Sequence, residues 1–290
     1  MEETPKHRGE EIRVGVVQFV PRWGDRDGNF ERMVRIVTDA ASAIDVLIFP
    51  ELATSGYFFL SPDELRPLAW ERDHPQVRHF QHLAATTRCV IVVGAPEWDG
   101  TTQRLFNSAW VFDPSLAVWT YRKAHLFYKE KMVFAPGDRE LTVFPVLQNR
   151  LRLGVMICYD FRFPEVARSL ALQGADCIAL PANFVTPIWL DIVRIRAIEN
   201  KVYIAVADRC GSEEREGEQL HFMGGSAVVH YNGQLMAQLD RENEGMAVAF
   251  LQPLKVRRKR LNDLNDLFDD RRPELYQLLC RSGEERQHDG

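Results

Sequence analysis

The sequence predicts an α/β protein whose buried parallel strands are connected by helices. In the N-terminal part, residues 13–20 are apolar, residues 29–43 carry apolar side chains at helical spacing, and residues 45–49 are apolar again. In the middle, the stretch 151–165, LRLGVMICYDFRFPE, contains an apolar strand that stops at Cys158 and is followed by a helix. Continuously apolar strands are typical of sheets that are covered on both faces, so both stretches indicate β-α units.

The remaining elements of the first half follow from apolar spacing and from turn residues. Predicted in chain order are a helix over 76–87, a strand over 89–97, a hairpin of 105–112 and 117–122, and a strand over 142–146. The hairpin turns at Asp113-Pro114-Ser115. A second turn, at Pro136-Gly137, precedes the last strand and places Glu130 in a loop.

The second half repeats this order loosely and contains no tandem repeat. Predicted are helices over 165–173 and 188–200, strands over 176–181, 202–207, 226–230, 234–239 and 246–251, and a charged loop over 215–220. The predicted packing stripe of the second helix is Ile192, Ile195, Ala197 and Ile198. Asn232-Gly233 predicts a two-residue hairpin turn. The total is about a dozen strands and four or five helices.

The two ends of the chain differ in composition from its middle. We predict a flexible lead-in over residues 1–11, a single domain over 12–254, a C-terminal arm over 255–281 and a disordered tail over 282–290. The arm opens with the basic run KVRRKR, but aspartates that follow within ten residues cancel it, and their spacing is not that of an EF-hand. Between these charges lies an apolar stripe of Leu261, Leu264, Leu267 and Phe268. We therefore expect the arm to pack on a second subunit.

Composition narrows the class of protein. The chain has 290 residues, 27% charged and 46% hydrophobic, which is ordinary for a globular protein with one large core. No stretch approaches 18 uninterrupted apolar residues and the N-terminus lacks the apolar core of a secretion signal, so we predict a cytoplasmic protein without a membrane partner. A net charge of −5 gives no electrostatic reason to expect nucleic acid. The five cysteines show no zinc spacing, which predicts reduced thiols, no metal and no cofactor.

Cys158 is the candidate nucleophile. It stands at the C-terminal end of a buried strand and just before a helix, where open α/β sheets place reacting groups. Most free cysteines are inert packing, and Cys89 and Cys177, which continue into apolar residues, fit that description better. Cys158 is followed instead by Tyr159 and Asp160. Its reactivity depends on a base and an oxyanion stabiliser elsewhere in the chain.

Three charged residues stand at comparable positions. Glu51 follows a buried strand and a proline, Lys123 follows the second strand of the predicted hairpin, and Glu130 lies shortly after it. Each has an ordinary alternative: Glu51 as an exposed loop acid, Lys123 as a surface cation and Glu130 as a solvated acid between two lysines. Spacing alone does not choose between these interpretations.

Taken together, the motifs resemble those of the nitrilase superfamily of carbon-nitrogen hydrolases. They are, in order, FPELATSGY, RKAHLF, CYDFRFPE, PANF, RAIENKVYIAVADRCG and FMGGSAVV. The resemblance extends from GVVQF to RRPELY, and the tail KRLNDLNDLFDDRR is similar to an archaeal-type branch of aliphatic nitrilases and amidases. It implies a four-layer αββα sandwich, in which two mixed sheets are flanked by helices, and a Glu-Lys-Cys triad.

The resemblance also implies a role for each residue. Cys158 would be the nucleophile, and Glu51 the general base that takes its proton and later gives one to ammonia. Lys123 and the backbone N–H of Tyr159 would face the oxyanion, a contribution of about 3 to 4 kcal/mol for one well-aimed donor. Glu130 would orient Lys123 and the substrate or water. No histidine is required, and the CGSCW-type signature of a papain-like protease is absent.

Side chains beside these motifs predict a narrow pocket for small aliphatic substrates. The predicted pocket residues are Tyr57, Phe58, Phe161, Asn183 and Phe184, some of which could equally belong to the core. Arg162 and Arg209 offer a further alternative, the binding of a substrate carboxylate as in carbamoyl-amino-acid hydrolases.

The predicted activity is hydrolysis of a small aliphatic primary amide to a carboxylic acid and ammonia through a cysteine thioester. Nitrile hydrolysis is the close alternative because it uses the same thioester, and hydrolysis of an N-carbamoyl compound is a third. The alternative of a different class is a scaffold or binding protein that keeps the fold without turnover. The predicted partners are the small amide or nitrile and further copies of the chain, as a homodimer or larger homo-oligomer.

Overall fold

The computed structural model describes residues 11–280. They form two compact units, one ending at Arg257 and the other beginning at Arg258. Apart from Glu11, the predicted lead-in and the predicted tail over 282–290 lie outside the described residues. None of the helices within 11–280 combines the length and the apolar character that crossing a membrane requires.

Fourteen strands form within the described residues. They are β1 (Ile12–Gln18), β2 (Val46–Ile48), β3 (Val90–Asp99), β4 (Arg104–Phe112), β5 (Val118–Arg122), β6 (Val143–Val146), β7 (Leu151–Val155), β8 (Cys177–Ala182), β9 (Tyr203–Asp208), β10 (Ser212–Arg215), β11 (Glu218–His221), β12 (Ala227–Val229), β13 (Leu235–Gln238) and β14 (Gly245–Leu251).

The strands make two six-stranded mixed sheets and one hairpin. The first sheet has the order β14-β1-β2-β3-β4-β5, with β1, β2 and β3 parallel and the other pairs antiparallel. The second has the order β13-β12-β9-β8-β7-β6, with β7, β8 and β9 parallel. The hairpin pairs β10 with β11. Each large sheet therefore has a parallel centre, which is where the sequence predicts β-α units.

Seven α-helices accompany these strands within 11–280. They are α1 (Arg26–Ala40), α2 (Pro62–Leu65), α3 (Pro75–Thr87), α4 (Glu130–Val133), α5 (Pro164–Leu172), α6 (Trp189–Asn200) and α7 (Pro253–Arg257). Short 3-10 helices cover Arg66–Leu68, Cys158–Arg162, Pro273–Leu275 and Gln277–Cys280. Helix α1 begins where the Asp25 side chain accepts the N–H of Gly28 at 2.9 Å, and α5 has Pro164 in its first turn.

The two large sheets pack face to face, with helices on their outer faces. Helices α1 and α3 bury Met33, Val37 and Phe80 in one cluster with Leu47 and Phe49 of the first sheet and its following turn. Strands β1, β2 and β3 contact β8 and β9 across the interior, while α5 and α6 pack on the second sheet. The protein is a sandwich of two mixed sheets flanked by helices, which confirms the predicted fold class.

The charged segment 215–220 is not the predicted loop. It lies largely in the β10–β11 hairpin, where ion pairs anchor it: Arg215 contacts Glu64 at 2.9 Å, and Lys129 contacts Glu218. Because charged anchors replace an apolar face, the hairpin carries no hydrophobic alternation that sequence reasoning could detect.

The predicted packing stripe of α6 is also wrong in part. Ile195 and Ile198 are 52% and 51% exposed, whereas Val193, Ala197 and Asn200 are buried. The helix is apolar on more than one side, so periodicity does not identify the face that turns inward.

Candidate active site

Glu51 enters the site directly after β2. Its carboxylate is fully buried, and Oε1 accepts hydrogen bonds from Asn107 Nδ2 at 2.8 Å and from Lys123 Nζ at 2.6 Å. The turn that carries Glu51 lies against β3 so closely that a Cβ on Gly94 would come within 2.3 Å of the Pro50 carbonyl oxygen. Glycine in β3 therefore allows the turn to hold the carboxylate at this depth.

Lys123 follows β5 and is 1% exposed. Its backbone N–H donates to the carbonyl of Asn107 at 2.8 Å, and its own carbonyl accepts the N–H of Gly137 at 2.8 Å. The ammonium then donates to Glu51 Oε1 at 2.6 Å and to Glu130 Oε1 at 2.7 Å. A buried lysine between two carboxylates is paired on both sides, unlike the surface cation that was the ordinary alternative.

The sequence predicts Glu130 in a loop, but Glu130 is the first residue of the short helix α4. The Tyr57 hydroxyl donates to its Oε1 at 2.6 Å, and the N–H of Phe127 donates to its Oε2 at 3.2 Å. With 5% exposure, Glu130 is a buried acid rather than a solvated one. A four-residue helix is too short for apolar periodicity to reveal, which is why the sequence indicates only a turn.

Cys158 lies beyond the end of β7, at the start of a 3-10 helix, and has a positive φ of 40°. It is 5% exposed. This left-handed conformation is unfavourable for a non-glycine residue, by roughly 1 to 3 kcal/mol, and such residues often lie at functional sites. The strand is thus shorter than predicted, and a sharp turn presents the thiol at its end.

The charges of the cluster depend on burial. Burial raises the pKa of Glu51 to about 7, although the positive charge of Lys123 acts in the opposite direction. Burial by itself would lower the pKa of Lys123, but the charges of Glu130 and Glu51 together outweigh it and hold that pKa above its ordinary value. Lys123 is therefore a permanent cation, and Glu51 is a base that exchanges protons near neutral pH.

Burial, reinforced by the charge of Glu51, raises the pKa of the Cys158 thiol well above its ordinary value. Lys123 and the backbone N–H of Asn183 act in the opposite direction without overcoming it. The resting thiol is consequently protonated at neutral pH. It requires a neighbouring base before it can attack an electrophile.

A small cavity of about 50 Å³ opens at Cys158. It is lined by Phe127, Cys158, Tyr159, Phe161, Arg162, Asn183, Phe184, Val185 and Thr186. Three of the predicted pocket residues, Phe161, Asn183 and Phe184, thus lie together with the thiol. The ring centroids of Phe161 and Phe184 are 4.9 Å apart in an edge-to-face arrangement.

The other two predicted pocket residues, Tyr57 and Phe58, line a separate cavity of about 10 Å³ together with Glu130. Neither lines the cavity of Cys158: the Tyr57 hydroxyl donates to Glu130, and Phe58 lies beside Tyr57 in the same separate cavity. The predicted single aromatic pocket is therefore divided, with the thiol in one part and the Glu130 carboxylate beside the other.

Sequence reasoning missed three residues that hold the cluster. Asn107 bonds both Glu51 and Lys123, and its only signal is a polar residue within the apolar strand LFNSAWVF. Glu213 of β10 accepts hydrogen bonds from the backbone N–H groups of Tyr57 and Phe58. It also forms an ion pair with Arg209. Arg209 is fully buried in that pair and does not line the Cys158 cavity, so it is not available there for a substrate carboxylate.

The third missed residue is Asp160, which is fully buried and accepts hydrogen bonds from Ile157, Tyr121 and His125. Its signal is its place two residues after the thiol, in a motif where Cys158, Tyr159 and Phe161 are predicted to act at the site but Asp160 is not. Within residues 11–280, no group of three or more His, Cys, Asp or Glu side chains is arranged to hold a metal ion.

Comparison with known proteins agrees with this fold. The carbon-nitrogen hydrolase family profile matches residues 13–260. A nitrilase of Pyrococcus abyssi (strain GE5 / Orsay) is 39% identical over 267 residues, covering 91% of this chain and 99% of that protein. An N-carbamoylputrescine amidase of Arabidopsis thaliana is 30% identical over 296 residues, covering 94% and 96%.

A solved structure of the amidase from Nesterenkonia sp. AN1 has a TM-score of 0.76 at 25% identity and covers 96% of this chain and 99% of that one. It shows the acetamide moiety of fluoroacetamide covalently added at that protein's active-site cysteine. The sandwich fold and these matches define a hydrolase of carbon-nitrogen bonds. The chain belongs to the carbon-nitrogen hydrolase family of the nitrilase superfamily.

Proposed function

We propose that this enzyme hydrolyses a small aliphatic primary amide to a carboxylic acid and ammonia through a thioester on Cys158. The observation that carries the proposal is the buried ammonium of Lys123, held at 2.6 Å from Glu51 and 2.7 Å from Glu130 beside a buried thiol. This arrangement supplies a nucleophile, a base of pKa about 7 and a fixed cation for a developing oxyanion.

In the acylation step, Cys158 Sγ attacks the amide carbon while Glu51 takes the thiol proton. The carbonyl oxygen becomes negative facing Lys123 Nζ and the backbone N–H of Tyr159. When the tetrahedral intermediate collapses, the C–N bond breaks and Glu51 returns the proton to the leaving nitrogen, which departs as ammonia. The acyl group remains on sulfur as a thioester.

In the deacylation step, water attacks the thioester carbon and Glu51 takes its proton. The C–S bond then breaks, the proton passes to the departing sulfur, and the carboxylic acid is released. Glu130 holds the Lys123 ammonium in place through both steps. One water is consumed, and one acid and one ammonia are formed.

Two buried acceptors support an amide rather than a nitrile. Glu51 Oε2 and Asn183 Oδ1 have no hydrogen-bond partner among the described residues. A primary amide brings two N–H donors to such acceptors, whereas a nitrile nitrogen brings none, and unpaired buried acceptors are costly. The small aromatic cavity supports short acyl chains, since about 50 Å³ leaves room for only a few heavy atoms.

Two other substrates each have one observation in their favour. Nitrile hydrolysis is favoured by the 39% identical protein named a nitrilase. An N-carbamoyl compound with a carboxylate is favoured by Arg162, an exposed cation that lines the Cys158 cavity. Both would use the same nucleophile, so they compete with the amide on substrate and not on mechanism.

The test is intact-protein mass spectrometry after mixing with acetamide, propionamide, the matching nitriles and N-carbamoyl-β-alanine. The wild type is quenched with acid at short times, because Glu51 is needed for acylation as well as for thioester breakdown, and Cys158→Ala is the matched control that cannot form an adduct. We expect an acyl mass on the Cys158 peptide with the amides. Adducts from nitriles alone would replace the amide proposal, and no adduct or ammonia from any compound would favour a scaffold without turnover.

We further propose that the protein is cytoplasmic and forms a homo-oligomer through its C-terminal arm. All five cysteines are free thiols, which fits a reducing compartment. The segment after Arg257 carries Leu261, Leu264 and Leu275, which are 64%, 89% and 68% exposed. Leucines in this number without cover indicate a surface for another polypeptide, here a second copy.

A further inference from the structure

The Asp160 carboxylate joins two chain segments that come from different sheets. It is completely buried, and each of its oxygens accepts two hydrogen bonds. Oδ2 accepts the backbone N–H of Ile157 at 2.9 Å and the hydroxyl of Tyr121 at 2.8 Å. Oδ1 accepts the backbone N–H of His125 at 3.0 Å and contacts His125 Nδ1 at 2.8 Å. The buried Asp160 carboxylate therefore uses both lone pairs of each oxygen on these four groups.

The four groups lie immediately beside two candidate catalytic residues. Ile157 precedes Cys158, whose φ of 40° marks the sharp turn that presents the thiol. Tyr121 and His125 stand two positions before and two positions after Lys123. Tyr121 belongs to β5 of the first sheet, whereas Asp160 belongs to the 3-10 helix that follows β7 of the second. One carboxylate thus links the turn of the nucleophile to the segment of the lysine.

Aromatic contacts restrain the same junction. The ring of His125 stacks on Phe163 with centroids 3.6 Å apart, and Phe163 is the residue that ends the 3-10 helix. The Tyr121 hydroxyl also accepts the N–H of Ala124 at 3.4 Å. The Asp160 side chain therefore ties residues 121–125, which include Lys123, to residues 157–163, which include Cys158.

We propose that Asp160 is a positioning residue that sets the Cys158 thiol against the Lys123 ammonium and so controls the reactivity of the thiol. The proposal rests on the assignment of Cys158 and Lys123 as the reacting pair. Oxyanion stabilisation requires donors placed within a few tenths of an ångström, and a displacement of about 1 Å costs on the order of 100-fold in rate. A residue that touches neither substrate nor thiol can then govern the chemical step.

The test compares Asp160→Asn with Asp176→Asn. Asp176 is a matched control because it is equally buried and accepts the N–H of Arg152 at 2.9 Å and the guanidinium of Arg257 at 3.0 Å and 2.9 Å, at the end of β7 remote from Cys158. In Asp160→Asn, one oxygen becomes an NH₂ group, which must face two of the four donors. The variant therefore loosens the junction whichever way its amide is oriented.

Three readouts are taken on each folded variant: kcat and KM for the best amide, the rate of Cys158 alkylation by iodoacetamide from pH 6 to 9, and Tm. For Asp160→Asn we expect kcat to fall by about 10- to 100-fold with KM changed by less than about 3-fold, together with an altered pH dependence of alkylation. For Asp176→Asn we expect a comparable fall in Tm with kcat and alkylation unchanged.

If Asp160→Asn does not fold, Tyr121→Phe replaces it in the test, because this variant removes one hydrogen bond to Asp160 and leaves no unpaired charge. We expect it to lower kcat by about 3- to 10-fold at nearly constant KM. Equal effects of the Asp160 and Asp176 variants on kcat and alkylation would overturn the proposal, as would an unchanged Tyr121→Phe enzyme. If the wild type hydrolyses nothing, the proposed function fails, yet the alkylation arm still decides the role of Asp160.

Discussion

At the scale of single residues, the burial of Glu51 determines when the site can work. An exposed glutamate is ionised above about pH 4.5, but burial raises the pKa of Glu51 to about 7, and the charge of Glu130 acts in the same direction. A general base is active only when it is deprotonated. The fraction of competent enzyme therefore rises as the pH rises through this value.

We accordingly predict that kcat/KM for the amide increases about tenfold per pH unit below pH 7 and levels off above it. Initial rates of ammonia release from pH 5 to 9 measure this, with circular dichroism at each pH to show that the protein stays folded. Glu130→Gln removes a charge that raises the pKa of Glu51, so its residual activity should show a lower midpoint. A wild-type midpoint near pH 4.5 would mean that burial does not raise the pKa of the catalytic carboxylate.

The thiols provide the second prediction at this scale. Cys158→Ala should abolish turnover and leave Tm nearly unchanged, because a thiol in a strained turn beside a cavity contributes little packing. Cys177→Ala is the matched control: this cysteine is fully buried in β8, and its loss should lower stability by about 1 kcal/mol while activity stays. Thermal unfolding and ammonia release distinguish the two. A collapse of Tm in Cys158→Ala would identify it as a core cysteine.

At the scale of elements, the position of Glu51 depends on how closely its turn lies on β3. A Cβ added to Gly94 would lie 2.3 Å from the oxygen of Pro50 and 2.6 Å from Glu51 Cα, and both are backbone atoms that cannot rotate away. The smallest possible side chain would therefore displace the turn and, with it, the carboxylate that binds Lys123.

Gly94→Ala should for this reason destabilise the protein by about 1 to 3 kcal/mol and lower kcat at least about 10-fold. Gly100→Ala is the matched control, since a Cβ there has its nearest neighbour, Glu71 Oε2, at 3.8 Å. Urea unfolding and steady-state kinetics of both variants make the comparison. An active and stable Gly94→Ala enzyme would show that the turn can move without loss of the site.

Most elements of this fold could be predicted because their apolar side chains repeat at a regular spacing. The β-α-β opening, the hairpin of β4 and β5 and helix α3 were found within a few residues of their observed bounds. Elements held by charge could not be predicted. The β10–β11 hairpin and the four-residue α4 depend on contacts such as Lys129 with Glu218 and Tyr57 with Glu130, which join distant parts of the sequence.

At the scale of the whole molecule, the candidate site is assembled from both sheets. Glu51 and Lys123 follow strands of the first sheet, while Cys158 follows a strand of the second. The residues alone indicated that each side chain stood at a strand end, and only the resemblance to a family implied that they meet. Asn107 and Asp160, which fix this meeting, could not be recognised because their partners lie 56 and 39 positions away.

The C-terminal arm bears on how subunits assemble. Arg257 belongs to the first unit, where its guanidinium contacts Asp176 at 2.9 Å, so a truncation that retains Arg257 preserves this ion pair. The segment beyond it includes Leu278 and Leu279, which are 61% and 65% exposed. Surfaces of this kind are usually covered by another polypeptide.

We expect the full-length protein to be a dimer or larger. We predict that a chain ending at Arg257 forms particles with fewer subunits, measured as the particle mass in multi-angle light scattering divided by the mass of one chain. A chain ending at Cys280 is the control and should keep the full-length assembly, because it retains all the exposed leucines of the described segment. Any association that the shorter chain retains should decrease further on dilution, since association follows mass action. If both truncated chains retain the mass per particle expected for the full assembly, the arm does not hold the subunits together, and the oligomer must use a surface of the first unit.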